Sequence, residues 1–292
     1  MELSKIDAEP LLAEMLAYAK RYQILLDGNS GSTALDACID RLNRLETTVT
    51  RPYFLEVLRL YNESKLTLTQ VTEIFLTTES YLFRRTMCDL PTNALNKIFL
   101  MLHREIVRYD GTEDDYVEKF KYALLSKKER ARFPDDVEFK VAFEERPVYL
   151  MNSKNKIYLL ERFENFGTSE DKDVYRHCDD GTYSIEHIMP QHLTPVWQKE
   201  LGDDYEQIHE EWLHRMANLT LTAYNSKYSN SSFTEKKTMQ NGFDDSGIRM
   251  NTWIAKKNKW TLAELEERSE YLMGRALSLI HISEPTRLLS IS

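Results

Sequence analysis

"YSIEHIMPQH", residues 183–192, sets Glu186 and His187 between isoleucines and stops at Pro190. The alternation over 183–189 predicts a short strand, ended by a proline that has no amide hydrogen to give to a ladder. An acid beside a histidine at a strand end suits phosphodiester chemistry. Neutral imidazole takes a proton from water near pH 7, because its ordinary pKa is about 6.5. A hard divalent cation on oxygen ligands offsets the charge on phosphate and leaving oxygen, and Glu186 supplies one such oxygen. Neighbours on an ideal strand point to opposite faces. Glu186 and His187 therefore reach one water only if the strand twists or ends there, and Pro190 favours an early end.

Downstream comes a long excursion with a helix expected near 204–216. "NLTLTAY", 218–224, is a second β-like run, and "SSFTEKKTMQ", 231–240, reads as a helix. The order is strand, long loop, strand, helix. Asn225, just past the second strand, is placed to give a second oxygen ligand. The end of a helix that carries free N–H groups favours anions, which makes it a natural place for a phosphate.

The rest of the chain reads as helices. Leu11, Leu12, Met15, Ala19 and Tyr22 recur at helical spacing, and so do Leu35, Cys38, Ile39, Leu42 and Leu45 behind Ser32, an expected N-cap. Further helices are predicted over 52–63, 68–88, 93–108, 113–126, 135–145 and 155–166. Thr261 with Glu264 three residues on reads as a capping box opening "TLAELEERSEYLMGRAL". Short polar connections and only nine glycines in 292 residues disfavour a turn-rich β fold. "LSKKERARFPDD", 125–136, is the better of two polar breaks as a domain boundary.

Composition narrows the function classes. A hydrophobic content of 42% is enough for a core, and a net charge of −9 argues against wholesale wrapping of nucleic acid. Contact with DNA then requires a local basic face. Segment 226–260 carries Lys227, Lys236, Lys237, Arg249, Lys256, Lys257 and Lys259 against Glu235, Asp244 and Asp245, seven positive less three negative. Three scattered cysteines without a CxxC pair speak against a zinc knuckle and fit a reducing cytoplasm. No apolar run is long enough to span a membrane. "LSLIHISEPTR", 277–287, resembles a translated sequencing adapter, so the tail 277–292 is expected to be an assembly artefact, with the natural protein continuing differently after Ala276. His281 is set aside with it.

"IEHIMPQ" followed by "ANLTLTAYNSKYSNSSFTEKK" resembles the HNH, or His-Me finger, nucleases. More closely, it is similar to the C-terminal nuclease domain of GmrSD-type modification-dependent restriction enzymes. The similarity runs through Trp197, "NLTL", "NSKYSN", Phe233, "KK" at 236–237 and "KWTLAELEER" at 259–268. "YLFRRTMCDLPTNALNKIF", 81–99, resembles the helical region that precedes that domain. The resemblance implies a mainly α protein: a helical domain over 1–130, then an α-rich nuclease domain over 131–276 with an embedded ββα-metal motif. It implies His187 as general base, Asn218 as the asparagine bracing the loop between the strands, and Glu186 and Asn225 as ligands of Mg²⁺ or another divalent cation such as Mn²⁺. Lys227, Lys236 and Lys237 are expected near phosphate. The family's NTP-binding domain is not recognisable here, nor is any phosphate loop, so the chain reads as the downstream part of a longer protein or as a split subunit. The substrate implied is DNA, modified DNA included.

Other readings stand beside this one. The motif is alternatively structural or decayed in a DNA- or partner-binding module, and RNA cleavage would use the same site. His192 suggests a metal pair with His187. His209 and His214 are expected on a helix as surface or packing residues, and His177 with Cys178 as a nucleophile lacks an acid partner. Arg84 and Arg85 are expected on a helix surface or in an interdomain salt bridge, and the four tryptophans in the core.

Overall fold

The computed structural model describes residues 8–45, 48–224 and 228–279. It divides after Pro134 into two compact units, the second running from Asp135 to the last described residue, Leu279. The first unit is helical: α1 (Ala8–Asp27), α2 (Thr33–Arg44), α3 (Arg51–Asn62), α4 (Leu68–Met87), α5 (Leu95–Arg108) and α6 (Tyr116–Leu125). Ser32 caps α2 by accepting from the Leu35 amide. Thr67 and Gln70 close a reciprocal capping box at the start of α4.

α4 is the centre of this unit. It is buried on every side from Thr77 to Arg85, as a helix wrapped by neighbours must be. Phe75 stacks on Phe54 at 3.9 Å between centroids, and Tyr53 stacks on Phe120 at 5.6 Å. Its three buried charges, Glu79, Arg84 and Arg85, are spent inside. Glu79 takes both arms of the Arg41 fork, at 2.7 and 3.0 Å. Arg84 donates to Pro134 O, and Arg85 to Arg132 O and Pro91 O. Both arginines are therefore buried ties for the chain that returns past α4, not residues of a helix surface: a guanidinium can satisfy carbonyls that a crowded turn leaves unpaired.

The second unit contains α7 (Asp136–Glu145), α8 (Ser153–Glu164), α9 (Val174–Asp179), β1 (Ser184–His187), α10 (Pro195–Leu201), α11 (Tyr205–Trp212), β2 (Leu219–Thr222), α12 (Phe233–Thr238), α13 (Asn251–Ala255) and α14 (Leu262–Leu279). The strands pair antiparallel, with Ser184 opposite Thr222 and His187 opposite Leu219. The sheet has two strands, and such a ribbon does not stand alone in water. Side chains from the helices hold it. Asn251 accepts from Thr220 Oγ1 at 2.5 Å and donates to Leu221 O. Arg268 on α14 donates to Ala217 O and Leu219 O, while burial pushes its pKa down to about 9, still cationic at neutral pH. Glu164, wholly buried, accepts the amides of Arg249 and Met250 and so fixes the start of α13 against α8. Trp197 and Trp260 lie in the core with Ile188, Met189 and Phe233. Among the described residues no helix is long and apolar enough to cross a membrane.

Replacement of a central aromatic tests this packing. Phe75→Ala is expected to lower stability by about 3–5 kcal/mol through lost burial and the cavity left behind. Guanidinium unfolding followed by circular dichroism measures it; a loss below 1 kcal/mol would mean that α4 is not the centre of the first unit.

Candidate active site

β1 is four residues long and its last residue is His187. The early end resolves the problem of facing. Glu186 and His187 leave the strand in different directions, yet both line one open cleft of about 240 Å³ together with Tyr149, Gln191, Ser229 and Asn230. Both are nearly enclosed, at 4% and 5% exposure.

Glu186 meets α12. Ser232 and Glu235 form a capping box that starts this short helix, and the helical spacing then turns Phe233 and Lys236 to the same inner side. The Lys236 ammonium lies 2.5 Å from Glu186 Oε1 and donates also to His187 O at 2.8 Å and Ile188 O at 3.2 Å. Burial pushes the Glu186 carboxyl up to about 7, with Lys236 pulling it back. The ammonium is in turn pushed down by burial, with Glu186 opposing. The other carboxylate oxygen makes no hydrogen bond among the described residues.

His187 meets a second histidine. Its Nε2 is 3.3 Å from His214 Nδ1. Tyr149 presents its ring edge-on to His187, at 4.3 Å, and stacks on His214 at 5.4 Å and 10°. Burial pushes His187 down to about 3, helped by His214 and Lys236, so the imidazole is neutral at pH 7. His214 is also held below the ordinary range, mainly by burial.

Asn218 sits between the strands and is completely buried. Its carbonyl accepts from Met189 N at 2.8 Å and Trp260 Nε1 at 3.3 Å; its amide donates to Met189 O and Leu213 O. These bonds fasten the turn after His187 to the entry of β2. All of them run to groups of the protein, so Asn218 shapes the site without facing it.

The structure therefore brings Glu186 and His187 together, with Asn218 behind them. Asn225 and Lys227 lie outside the described residues. Lys236 departs from the expected position near phosphate: the side chain is wholly buried and its charge is spent on Glu186 and two carbonyls. Lys237 donates to Lys257 O and is mostly covered. The basic segment is thus thinner at the surface than its composition suggests. Arg249 is hydrogen-bonded to Glu170 O and Asn165, Lys257 is paired with Glu267, and Lys256 and Lys259 remain exposed. His192 lines the cleft, while His209 is engaged with Pro190 O. The sequence reads His214 as a surface or packing residue of a helix, and Tyr149 carries no local signal. They are 27 and 38 positions from His187 in sequence, and no local pattern joins them to it.

Among the described residues no group of three or more His, Cys, Asp or Glu side chains could hold a metal. What the cleft offers is one open carboxylate oxygen of Glu186 and the neutral oxygens of Gln191, Ser229 and Asn230. That donor set fits a hard, largely hydrated ion such as Mg²⁺, which commonly uses one or two carboxylates and fills its shell with water and substrate phosphate.

The fold and this cleft define a mainly helical protein whose two-stranded sheet presents a carboxylate and a neutral imidazole at one strand end. The family model described as GmrSD restriction endonucleases, C-terminal domain, matches residues 133–275. Over that segment the chain is similar to the C-terminal part of this restriction endonuclease family. Comparison with curated proteins gives no match.

Two substitutions probe the supports of the site. Lys236→Met strands a buried carboxylate and is expected to cost about 3–5 kcal/mol at pH 8. The folded pKa of Glu186 is raised, so its contribution to stability is complete below about 4.5 and is lost as pH rises through about 7. The deficit of Lys236→Met should accordingly shrink at pH 5, and Glu186→Gln added to it should recover much of the loss at pH 8. Unfolding curves at both pH values decide this; an equal deficit at both would show that Glu186 is not the charge left stranded. Asn218→Ala leaves several buried groups without partners, at about 1–3 kcal/mol each. Its midpoint should therefore fall by far more than that of an exposed control such as Asn258→Ala.

Proposed function

We propose that the second unit is an HNH-type, His-Me finger endonuclease that hydrolyses phosphodiester bonds in DNA with His187 as general base. The observation that carries this reading is the meeting of Glu186 and a neutral His187 in one cleft where β1 ends, within a segment similar to the GmrSD C-terminal family. The neutral imidazole removes a proton from water as the oxygen attacks phosphorus, and the P–O bond to the leaving oxygen breaks. A base with so low a pKa is weak. A phosphodiester anion in the cleft opposes the burial and the nearby cations that depress it, and strengthens the base when substrate is present. A divalent cation, Mg²⁺ or alternatively Mn²⁺, would be held by Glu186 and Asn225, and when bound it supplies positive charge against the phosphate and leaving oxygens. Lys227 and Lys237 are the proposed phosphate contacts. The β1–β2–α12 order is the proposed ββα-metal motif, in a nuclease domain over 131–276 that follows a helical domain over 1–130. The setting is a cytoplasmic restriction system against foreign, modified DNA, working with an NTP-binding domain or subunit.

One observation favours a second reading, a DNA- or partner-binding module with a decayed motif: Lys236 occupies an oxygen of the carboxylate that would hold the ion. Plasmid nicking separates the two. Under the nuclease reading, purified protein nicks plasmid in Mg²⁺ and not in EDTA, and His187→Ala lowers the rate about 10²–10⁴-fold with the fold retained. Absence of nicking rules the nuclease reading out, an EDTA-resistant rate rules out the divalent cation, and a His187→Ala rate equal to the parent rules out His187 as the base.

A further inference from the structure

His187 can act as a base only through a nitrogen that has a free lone pair. Its Nε2 is taken up by His214 Nδ1, 3.3 Å away. Its Nδ1 has no hydrogen-bond partner among the described residues, and the side chain lines the cleft. Two neutral imidazoles that share one hydrogen bond have two ways to arrange it. If His214 Nδ1–H donates, then His187 Nε2 accepts, its Nδ1 carries the proton, and no lone pair faces the cleft. If His187 Nε2–H donates, Nδ1 is bare and basic. The orientation of His214 and its tautomer therefore decide whether His187 is competent.

The ring of His214 is not left to chance. It lies flat on Tyr149, 10° from parallel. The Tyr149 amide donates to His214 O at 3.1 Å, which locks backbone to backbone. Tyr149 is itself held from behind: the Lys156 ammonium sits 4.7 Å above its ring and donates to its carbonyl at 2.9 Å. On the other side, Asn218 donates to Leu213 O and anchors the residue just before His214. A stacked ring whose own carbonyl and whose preceding residue are both fixed keeps its Nδ1 aimed at His187.

We infer that His214, clamped by Tyr149, is the positioning residue of the site: its Nδ1 accepts the Nε2–H of His187 and leaves the Nδ1 lone pair of His187 facing the cleft. The inference rests on the reading of His187 as general base, and goes beyond it by naming the group that makes the imidazole competent. His214 touches neither water nor phosphate in this role. It acts through His187, as an acceptor that holds one tautomer.

Side-chain geometry offers a selective test. The Oδ1 of asparagine occupies the place of histidine Nδ1, whereas a glutamine carries its carbonyl one bond further out. His214→Asn keeps an acceptor against His187 Nε2; His214→Leu keeps bulk and removes the acceptor. The expected result for plasmid nicking in Mg²⁺ is a kcat loss of about 10–100-fold in His214→Leu at nearly unchanged KM, and recovery to within about threefold of the parent in His214→Asn. Nitrogen-15 spectra of the parent protein, labelled at histidine and without metal or DNA, should show His187 protonated at Nε2 and bare at Nδ1, and His214→Leu should mix the two tautomers. Parental kcat in His214→Leu, with His187→Ala inactive, would overturn the positioning role and leave the nuclease reading intact. A protonated Nδ1 on His187 in the parent would overturn it in any case. If the parent does not cut DNA, the nuclease reading falls, and the nitrogen spectra still decide which imidazole donates.

Discussion

The ammonium of Lys236 is the point on which the second unit depends. It stands at the first inner turn of α12, wholly buried, and reaches Glu186 Oε1 together with the carbonyls of His187 and Ile188. Those carbonyls belong to the last residue of β1 and to the residue after it. One cation thus satisfies a buried carboxylate and two backbone acceptors, groups that would otherwise each carry a desolvation cost. The arrangement ties the last helix of the strand–strand–helix order to the strand end on which the candidate chemistry sits. It also limits that chemistry, because Glu186 has one oxygen committed before any ligand arrives.

A four-residue ribbon with buried residues on both faces needs support from outside itself. Asn218, Asn251 and Arg268 provide it: Asn218 bonds the backbone of Met189 past the end of β1, Asn251 takes Thr220 Oγ1 and Leu221 O, and Arg268 takes Ala217 O and Leu219 O. The helices around the hairpin are therefore more than packing. α13 is set by Glu164 on α8, and α14 brings in the guanidinium that takes Ala217 O and Leu219 O. Rigid support of this kind suits a site whose two functional side chains are neighbours on a strand, since a small rotation at Glu186 or His187 would move them out of the shared cleft.

Much of the helical plan was legible. The helices expected over 68–88 and 135–145 appear as Leu68–Met87 and Asp136–Glu145, because apolar spacing and capping residues act within a few positions. The two strands were legible for the same reason: alternation, a proline stop and a β-branched run are local signals. The place of Arg84 and Arg85 was not. Two adjacent arginines on a helix read as surface, and only the return of the chain past α4, with Arg132 and Pro134 presenting their carbonyls, makes a buried position favourable. The basic stretch 226–260 misled in a similar way, since net charge counts cations without saying which are already bound.

By itself the sequence determined the elements of this protein, their order, and the adjacency of a carboxylate and an imidazole at a strand end. Tertiary structure decided what those groups have become. It turned Lys236 from an expected phosphate contact into the buried partner of Glu186, and it set His214 and Tyr149 against His187 from 27 and 38 residues away. The physical reason is one of range. Backbone propensity and hydrophobic period act over a few residues and can be read along a chain. Protonation, tautomer and availability of a side chain depend on burial and on partners within about 3–4 Å, which folding alone assembles.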